Sequence, residues 1–146
     1  NKGGKFMFKY ENAVSGKTNI DRVWALYDDV TKWSLWDKSV KSVQLMGEFK
    51  VGSTGVMEMA NGSKLPFSIT ECEEKEYFTT ESSLGPIVVT FGHILEEKND
   101  IVTIVHTVQI SGGDEIQMKG MGKGITESIP DCMKQLLSIS MDNEIF

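Results

Sequence analysis

The stretch IVVTFGHILEEKNDIVTIVHTVQI, residues 87–110, decides the fold of this chain. Apolar and polar residues alternate along both halves, which is the period of two of a β-strand with one buried face. Asn99-Asp100 divides the halves, and a two-residue connection of this kind joins antiparallel strands. The stretch therefore predicts a β-hairpin, with strands over 87–98 and 101–110.

Strand patterns separated by turn signals also precede this hairpin. Because connections this short cannot carry a parallel crossover, the strands are predicted to form an antiparallel meander. A further strand near the N-terminus, ended by Ser15-Gly16-Lys17, brings the sheet to seven strands. The earlier predicted strands are 5–14, 40–46, 54–60, 64–73 and 77–84, and the turns are Asn61-Gly62, 73–76 and Gly85-Pro86.

Three segments have helical spacing. Two short helices, 19–28 and 31–36, follow the first strand, and Thr18 or Asn19 is the predicted N-cap of the first. A long helix over 114–143 carries one apolar stripe. Pro130 is predicted to kink this helix without ending it, because the stripe continues beyond the proline. Such a helix needs a sheet to pack against, so the chain is predicted to be α+β.

The turns also predict which side chains share a face of the sheet, because each hairpin fixes its own register. We take Phe67 and Ile69 as buried. A two-residue turn at Asn61-Gly62 then places Val56 opposite Phe67. The residues that the other turns bring to this face are Phe78, Thr80, Ser82, Val89, Phe91, His93, Leu95, Ile104, His106 and Val108. We expect this concave face and the last helix to enclose a cavity.

The same register places His93 directly across from His106. The pair is consistent with two structural histidines, with polar contacts to the carbonyl or hydroxyl of a ligand, or with part of a metal site. Zinc takes three or four ligands and no third is identifiable from spacing, so no metal is predicted. Glu58 and Glu71 are candidate cavity carboxylates that can serve as a general base or orient a ligand.

Aromatic and methionine residues are further candidates for cavity contacts. Trp33 and Trp36 can either close one mouth of the cavity or pack in the core, whereas Trp24 is predicted to be core. Met118 and Met121 belong to the helix stripe and suit varied apolar shapes. The predicted ligand-binding residues are Trp33, Trp36, Val56, Glu58, Phe67, Ile69, Phe78, Thr80, Phe91, His93, His106, Val108, Met118, Met121 and Ile125.

Composition narrows the possible partners. A net charge of −6 argues against nucleic acid, whose backbone requires a basic face. No apolar run is long enough to span a membrane, and no apolar core of a signal peptide is found near the N-terminus. Cys72 and Cys132 lack metal-type spacing and are expected to be reduced thiols. We expect one cytoplasmic domain over residues 1–146, monomeric or dimeric, without a cofactor.

Three segments carry a resemblance to a known family. NIDRVWALYDDVTKWSLWDKSV (19–40) resembles its opening helices, LPFSITECEEKEYF (65–78) its I-x-E hairpin, and DCMKQLLSI (131–139) its closing helix. With the order of elements, they make the chain similar to the SRPBCC superfamily, also called START-related or Bet v 1-like, and within it to the polyketide cyclase/dehydrase-like branch. The resemblance implies a helix-grip fold, in which a curved sheet wraps a long C-terminal helix around a hydrophobic cavity.

Function remains open between two main hypotheses. One is a carrier that binds a small hydrophobic or amphipathic ligand, lipid- or polyketide-like. The alternative is a cyclase- or aromatase-like enzyme in which a cavity histidine and a carboxylate transfer protons. An interaction module is a third possibility, and it requires an exposed apolar patch. Nucleophile elbows, zinc-protease motifs and phosphate-binding loops are absent from the sequence.

Overall fold

The computed structural model describes residues 6–146. A single 3₁₀ turn, Val30–Lys32, lies between the first two helices. The strands are β1 (Phe8–Lys17), β2 (Val40–Met46), β3 (Thr54–Met59), β4 (Lys64–Glu73), β5 (Tyr77–Leu84), β6 (Ile87–Lys98) and β7 (Ile101–Ser111). The helices are α1 (Ile20–Asp28), α2 (Trp33–Trp36), α3 (Glu115–Thr126) and α4 (Ile129–Ser140). The side chain of Asn19 caps α1 by accepting a hydrogen bond from the Asp21 amide.

The strands form one antiparallel sheet in the order β1-β7-β6-β5-β4-β3-β2. Lys98 pairs with Ile101 and Leu84 with Ile87, so the turns between these strands have two residues each. Asn99 and Asp100 both have positive φ, as a hairpin turn matched to the twist of the strands requires. The predicted seven-stranded sheet, the short helices after β1 and the long, bent C-terminal helix are confirmed.

The first strand ends three residues later than predicted. It continues through Ser15, Gly16 and Lys17, which pair with β7 as far as Ile101. Gly16 was predicted to break the strand, but it is extended, and a Cβ there would lie 3.0 Å from Cδ2 of Leu137. The missing side chain therefore lets α4 approach β1 closely. Lys5, the predicted start, lies outside the described residues.

The register of the β3–β4 hairpin differs from the prediction by one residue. The amide of Met59 donates to the carbonyl of Ser63, so Ala60, Asn61 and Gly62 form a three-residue loop. Val56 consequently pairs with Pro66, and Gly55 takes the place opposite Phe67. Because side chains alternate between faces, this shift turns Val56 and Glu58 away from the concave face and places Met57 on it.

The β4–β5 hairpin has the predicted pairing of Ile69 with Thr80, but its loop and the adjoining part of β4 differ from the prediction. Glu73 pairs with Tyr77, so the loop has three residues instead of four. A bulge at Thr70 then adds one residue to β4 between the pairs Ile69–Thr80 and Glu71–Thr79. The two changes offset each other, and Phe78, Thr80 and Ser82 are buried as predicted.

The C-terminal helix bends before the proline. Helix α3 ends at Thr126, and Pro130 lies in the first turn of α4. A proline there is tolerated because the first amides of a helix have no carbonyl partner within it. Pro130 therefore starts the second half of the bent helix rather than kinking a continuous one.

Helices α3 and α4 both contact β1 and β7, at one side of the sheet. The buried apolar residues form two clusters. The larger joins α1, α2 and α4 to the sheet, includes Trp24, and centres on Tyr27 and Phe78. The smaller joins α3 to β6 and β7 through Met118, Val89 and Ile110. Space remains between the two clusters.

Candidate functional site

A pocket of about 520 Å³ lies between the sheet and the bend from α3 to α4. Both apolar clusters contribute to its walls, with Trp36 and Met57 from the larger and Val89 from the smaller. The lining residues most open to solvent are Ser39, Ala60, Asn61, Ser63, Leu84, Gly124 and Ser128. These residues mark the opening of the pocket, which lies beside the helix bend.

Asp37 is the only charged side chain among the described residues that line the pocket. Its Oδ1 accepts hydrogen bonds from the amide and hydroxyl of Ser39, and the Cys132 thiol donates to it at 3.4 Å. Burial and the neighbouring Asp37 charge raise the pKa of Cys132 to about 12. Cys132 is therefore a protonated thiol at neutral pH and not a nucleophile.

Two buried histidines line the pocket, His93 and His106, which pair across β6 and β7 as predicted. The rings lie 4.7 Å apart, edge to face. The His93 ring stacks on Phe78 at 3.9 Å. Nδ1 of His93 lies 3.1 Å from the carbonyl oxygen of Phe78, which can only accept, so this nitrogen carries the proton and donates. Burial lowers the pKa of His93 to about 4, so its ring is neutral at pH 7.

His106 is held by a residue from another element. Its Nε2 lies 2.7 Å from the hydroxyl oxygen of Tyr27, which α1 brings over the sheet. Burial lowers the pKa of His106 well below its ordinary value, and nearby His93 lowers it further. Burial also raises the pKa of Tyr27, so the pair is uncharged at neutral pH. Sequence reasoning missed Tyr27, because nothing local indicates a partner on a strand so distant in the chain.

The two tryptophans of α2 pack in the core and form part of the pocket wall, away from its opening. Each is 5% exposed and packs in the larger cluster, and each also lines the pocket. Their indole N–H groups donate to main-chain carbonyls near the end of α1, Trp33 to Tyr27 at 2.8 Å and Trp36 to Leu26 at 3.0 Å. These bonds fix the orientation of one pocket wall.

The predicted contact residues divide into three groups. Those that line the pocket are Trp33, Trp36, Thr80, Phe91, His93, His106 and Ile125. A second group packs in the two clusters behind the wall: Phe67, Ile69, Phe78, Val108, Met118 and Met121. The third group, Val56 and Glu58, does not face the pocket.

The carboxylates predicted near the histidines lie elsewhere. Glu58 pairs with Lys41 at 3.7 Å, on the outer face, because the β3–β4 register is shifted by one residue. Glu71 is exposed beside the bulge at Thr70 and accepts from the Thr79 hydroxyl at 2.9 Å. No carboxylate within residues 6–146 hydrogen-bonds to either histidine, and Tyr27 takes that place.

Several lining residues were missed by sequence reasoning. Met57 and Met59 come from the strand before the misjudged loop, and a three-residue loop would have identified them. Leu65 shares the face of Phe67 by the alternation of β4 itself. Gly124, Ser128 and Ile129 line the pocket because the helix bends there. The glycines of α3 could have indicated where this helix lines the pocket or packs closely on the sheet. A Cβ on Gly124 would meet no atom within 4 Å, whereas one on Gly122 would lie 2.4 Å from Cζ of Phe8.

A larger groove, about 910 Å³, lies on the surface between α1 and the β2–β3 connection. Asp28, Asp29, Glu48 and Glu74 line it together with apolar residues. The neighbouring carboxylates contribute to raising the pKa of Asp28, after the effect of burial. The groove is open to solvent and holds no buried polar pair, so it is a weaker candidate for small-molecule binding.

Among residues 6–146, no group of three or more His, Cys, Asp or Glu side chains is placed to hold a metal ion. In the same part of the chain, no helix has the length and apolar character needed to cross a membrane.

Comparisons with known proteins found similarity in structure alone. No family model matches the sequence, and no curated protein matches it. Norcoclaurine synthase from Thalictrum flavum is similar at a TM-score of 0.70 and 10% identity, over 95% of this chain and 89% of that one. The ginseng major latex-like protein 151 from Panax ginseng is similar at a TM-score of 0.71 and 13% identity, over 93% of this chain and 99% of that one.

A third similar structure is the di-domain ARO/CYC StfQ from the steffimycin biosynthetic pathway. It gives a TM-score of 0.76 and 7% identity, over 92% of this chain and 50% of that one. Identities this low show the fold alone. The chain has the helix-grip fold, which it shares with Bet v 1-like proteins and with the ARO/CYC protein.

Proposed function

We propose that this protein binds a small hydrophobic or amphipathic molecule, lipid- or polyketide-like, in the pocket between the sheet and the helix bend. The observation that carries the proposal is the pocket of about 520 Å³ with apolar walls and two neutral histidines. Its volume is within the range of small-molecule sites, about 300–1,000 Å³. An apolar ligand that replaces water there gains both burial and dispersion contacts.

The proposal depends on the pocket more than on the neighbours. A synthase and an ARO/CYC protein share the fold, but their identities to this chain are 10% and 7%. A superfold of this kind hosts unrelated functions. The walls of this chain's own pocket are therefore the relevant support.

Gly124 provides a test of the pocket with a matched control. A Cβ on either Gly120 or Gly124 would meet no atom within 4 Å, but only Gly124 lines the pocket. Gly124→Leu is expected to weaken binding of the neutral fluorophore N-phenyl-1-naphthylamine about tenfold, because leucine occupies the opening. Gly120→Leu, one turn earlier on α3, is expected to leave the dissociation constant unchanged. Fluorescence titration measures both.

Two results would contradict the proposal. One is a wild-type protein that does not bind the fluorophore. The other is an equal loss of affinity in both leucine variants, which would place the binding site outside the pocket.

A second candidate function is proton transfer by a cyclase- or aromatase-like enzyme. The observation that favours it is His93, whose proton lies on Nδ1, so that Nε2 has a lone pair and the ring lines the pocket. An unprotonated imidazole can act as a general base. Neither predicted carboxylate reaches the histidines, so the base here would work beside the Tyr27–His106 pair instead.

Exchange of the α-protons of 2-tetralone in deuterated buffer tests this candidate. If His93 is the base, the protein is expected to accelerate exchange about a hundredfold. The rate should stay constant as the pH falls from 8 and drop only near pH 4, where His93 becomes protonated. NMR follows the exchange, and His93→Phe should abolish it. A rate equal to that of buffer alone would contradict catalysis while leaving the binding proposal intact.

A further inference from the structure

The polar groups inside the pocket restrict which ligands can bind, beyond the requirement that the ligand be apolar. Ser82 Oγ is the one buried side-chain oxygen or nitrogen of residues 6–146 that has no hydrogen-bond partner. Nε2 of His93 also makes no hydrogen bond to a described residue, but unlike Ser82 Oγ it is not fully enclosed by protein. His93 lines the pocket. Nε2 is therefore accessible to a bound molecule.

The chemistry of Nε2 follows from the other side of the ring. Nδ1 must donate, because its partner at 3.1 Å is the main-chain carbonyl of Phe78. In a neutral imidazole with the proton on Nδ1, Nε2 can only accept. Burial keeps His93 neutral by lowering its pKa to about 4. A ligand group that meets Nε2 must therefore be a donor, such as O–H, and a carbonyl does not satisfy it.

Charge provides an independent restriction. Neither lysine nor arginine is among the described residues that line the pocket, and Asp37 is the only ionised group there. A carboxylate buried without a cationic partner is strongly disfavoured. Fatty-acid anions and other carboxylates are therefore poor ligands for these walls.

We propose that the ligand is an uncharged apolar molecule with a hydroxyl group, and that this hydroxyl donates a hydrogen bond to Nε2 of His93. The inference rests on the proposed binding function and narrows it to one chemical class. A ligand of equal shape without a donor would displace water from Nε2 and leave it unpaired.

Three naphthalene derivatives of similar shape test the inference by displacement of N-phenyl-1-naphthylamine. They are 2-naphthol, which donates and is neutral at pH 7, 2-methoxynaphthalene, which cannot donate, and 2-naphthoate, which is an anion. We expect 2-naphthol to bind about tenfold more tightly than either of the others. In His93→Phe, which keeps a ring to stack on Phe78, the advantage over 2-methoxynaphthalene should disappear. In His93→Gln, whose carbonyl oxygen can accept, part of the advantage should return.

The outcomes separate this inference from the proposal on which it rests. Equal binding of 2-naphthol and 2-methoxynaphthalene to the wild type, or tighter binding of 2-naphthoate, overturns the hydroxyl inference alone. A preference that survives unchanged in His93→Phe also overturns it. If neither the fluorophore nor any of the three compounds binds, the binding function itself is wrong.

Discussion

Lowering the pH from 7 to 5 is expected to reduce the free energy of unfolding by about 2 kcal/mol through His93 alone, and by more with His106. The folded protein holds His93 at a pKa of about 4 and His106 well below its ordinary value. The unfolded chain, with ordinary histidines, binds more protons than the folded one in this window. Stability is therefore complete above about pH 6.5 and is lost as the pH falls toward about 4.

Urea unfolding at a series of pH values measures this loss. Histidine is the side chain whose ordinary pKa lies near this window, and the chain has only two histidines. The change in stability between pH 6.5 and 5 therefore reports mainly on this pair. The double variant His93→Phe/His106→Phe should show a much smaller slope in this window. NMR of the imidazoles gives a reading that needs no variant, since neither ring should titrate in the folded protein between pH 7 and 5. A normal titration of either ring would contradict the burial assigned to the pair.

The second large effect is expected at Gly122. A Cβ there would lie 2.4–2.6 Å from three atoms of the Phe8 ring, so a side chain cannot be added without moving β1 or that ring. Gly122→Leu is expected to destabilise the protein by about 3 kcal/mol. Gly120→Leu and Gly124→Leu are expected to stabilise it by up to about 1 kcal/mol, because leucine favours a helix over glycine and both sites are open.

Thermal unfolding of the three leucine variants measures this contrast. The three positions lie on one helix within five residues, so differences in helix propensity cannot explain a loss confined to Gly122. If all three variants were stabilised, Phe8 would have to rotate away at little cost. The close packing of α3 on β1 would then be wrong.

Much of the fold could be predicted from local sequence. Alternation gave the strands, and the two-residue turns at Gly85-Pro86 and Asn99-Asp100 gave the pairing of β5, β6 and β7. The position of His93 opposite His106 followed, because a turn of known length fixes the register of its hairpin. The site was predicted less well. Val56 and Glu58 were assigned to the wrong face by a single residue in the β3–β4 loop.

The amino-acid sequence by itself determined the order of strands, turns and helices, and the pairing of His93 with His106 across two strands. These features depend on residues that are neighbours in the chain or are joined by one tight turn. Only the tertiary structure decided that Tyr27 meets His106, that Gly124 faces the pocket while Gly122 contacts Phe8, and that the helix bends at the opening. Each of these depends on how a helix lies across the sheet, and that geometry is set by packing among residues far apart in sequence.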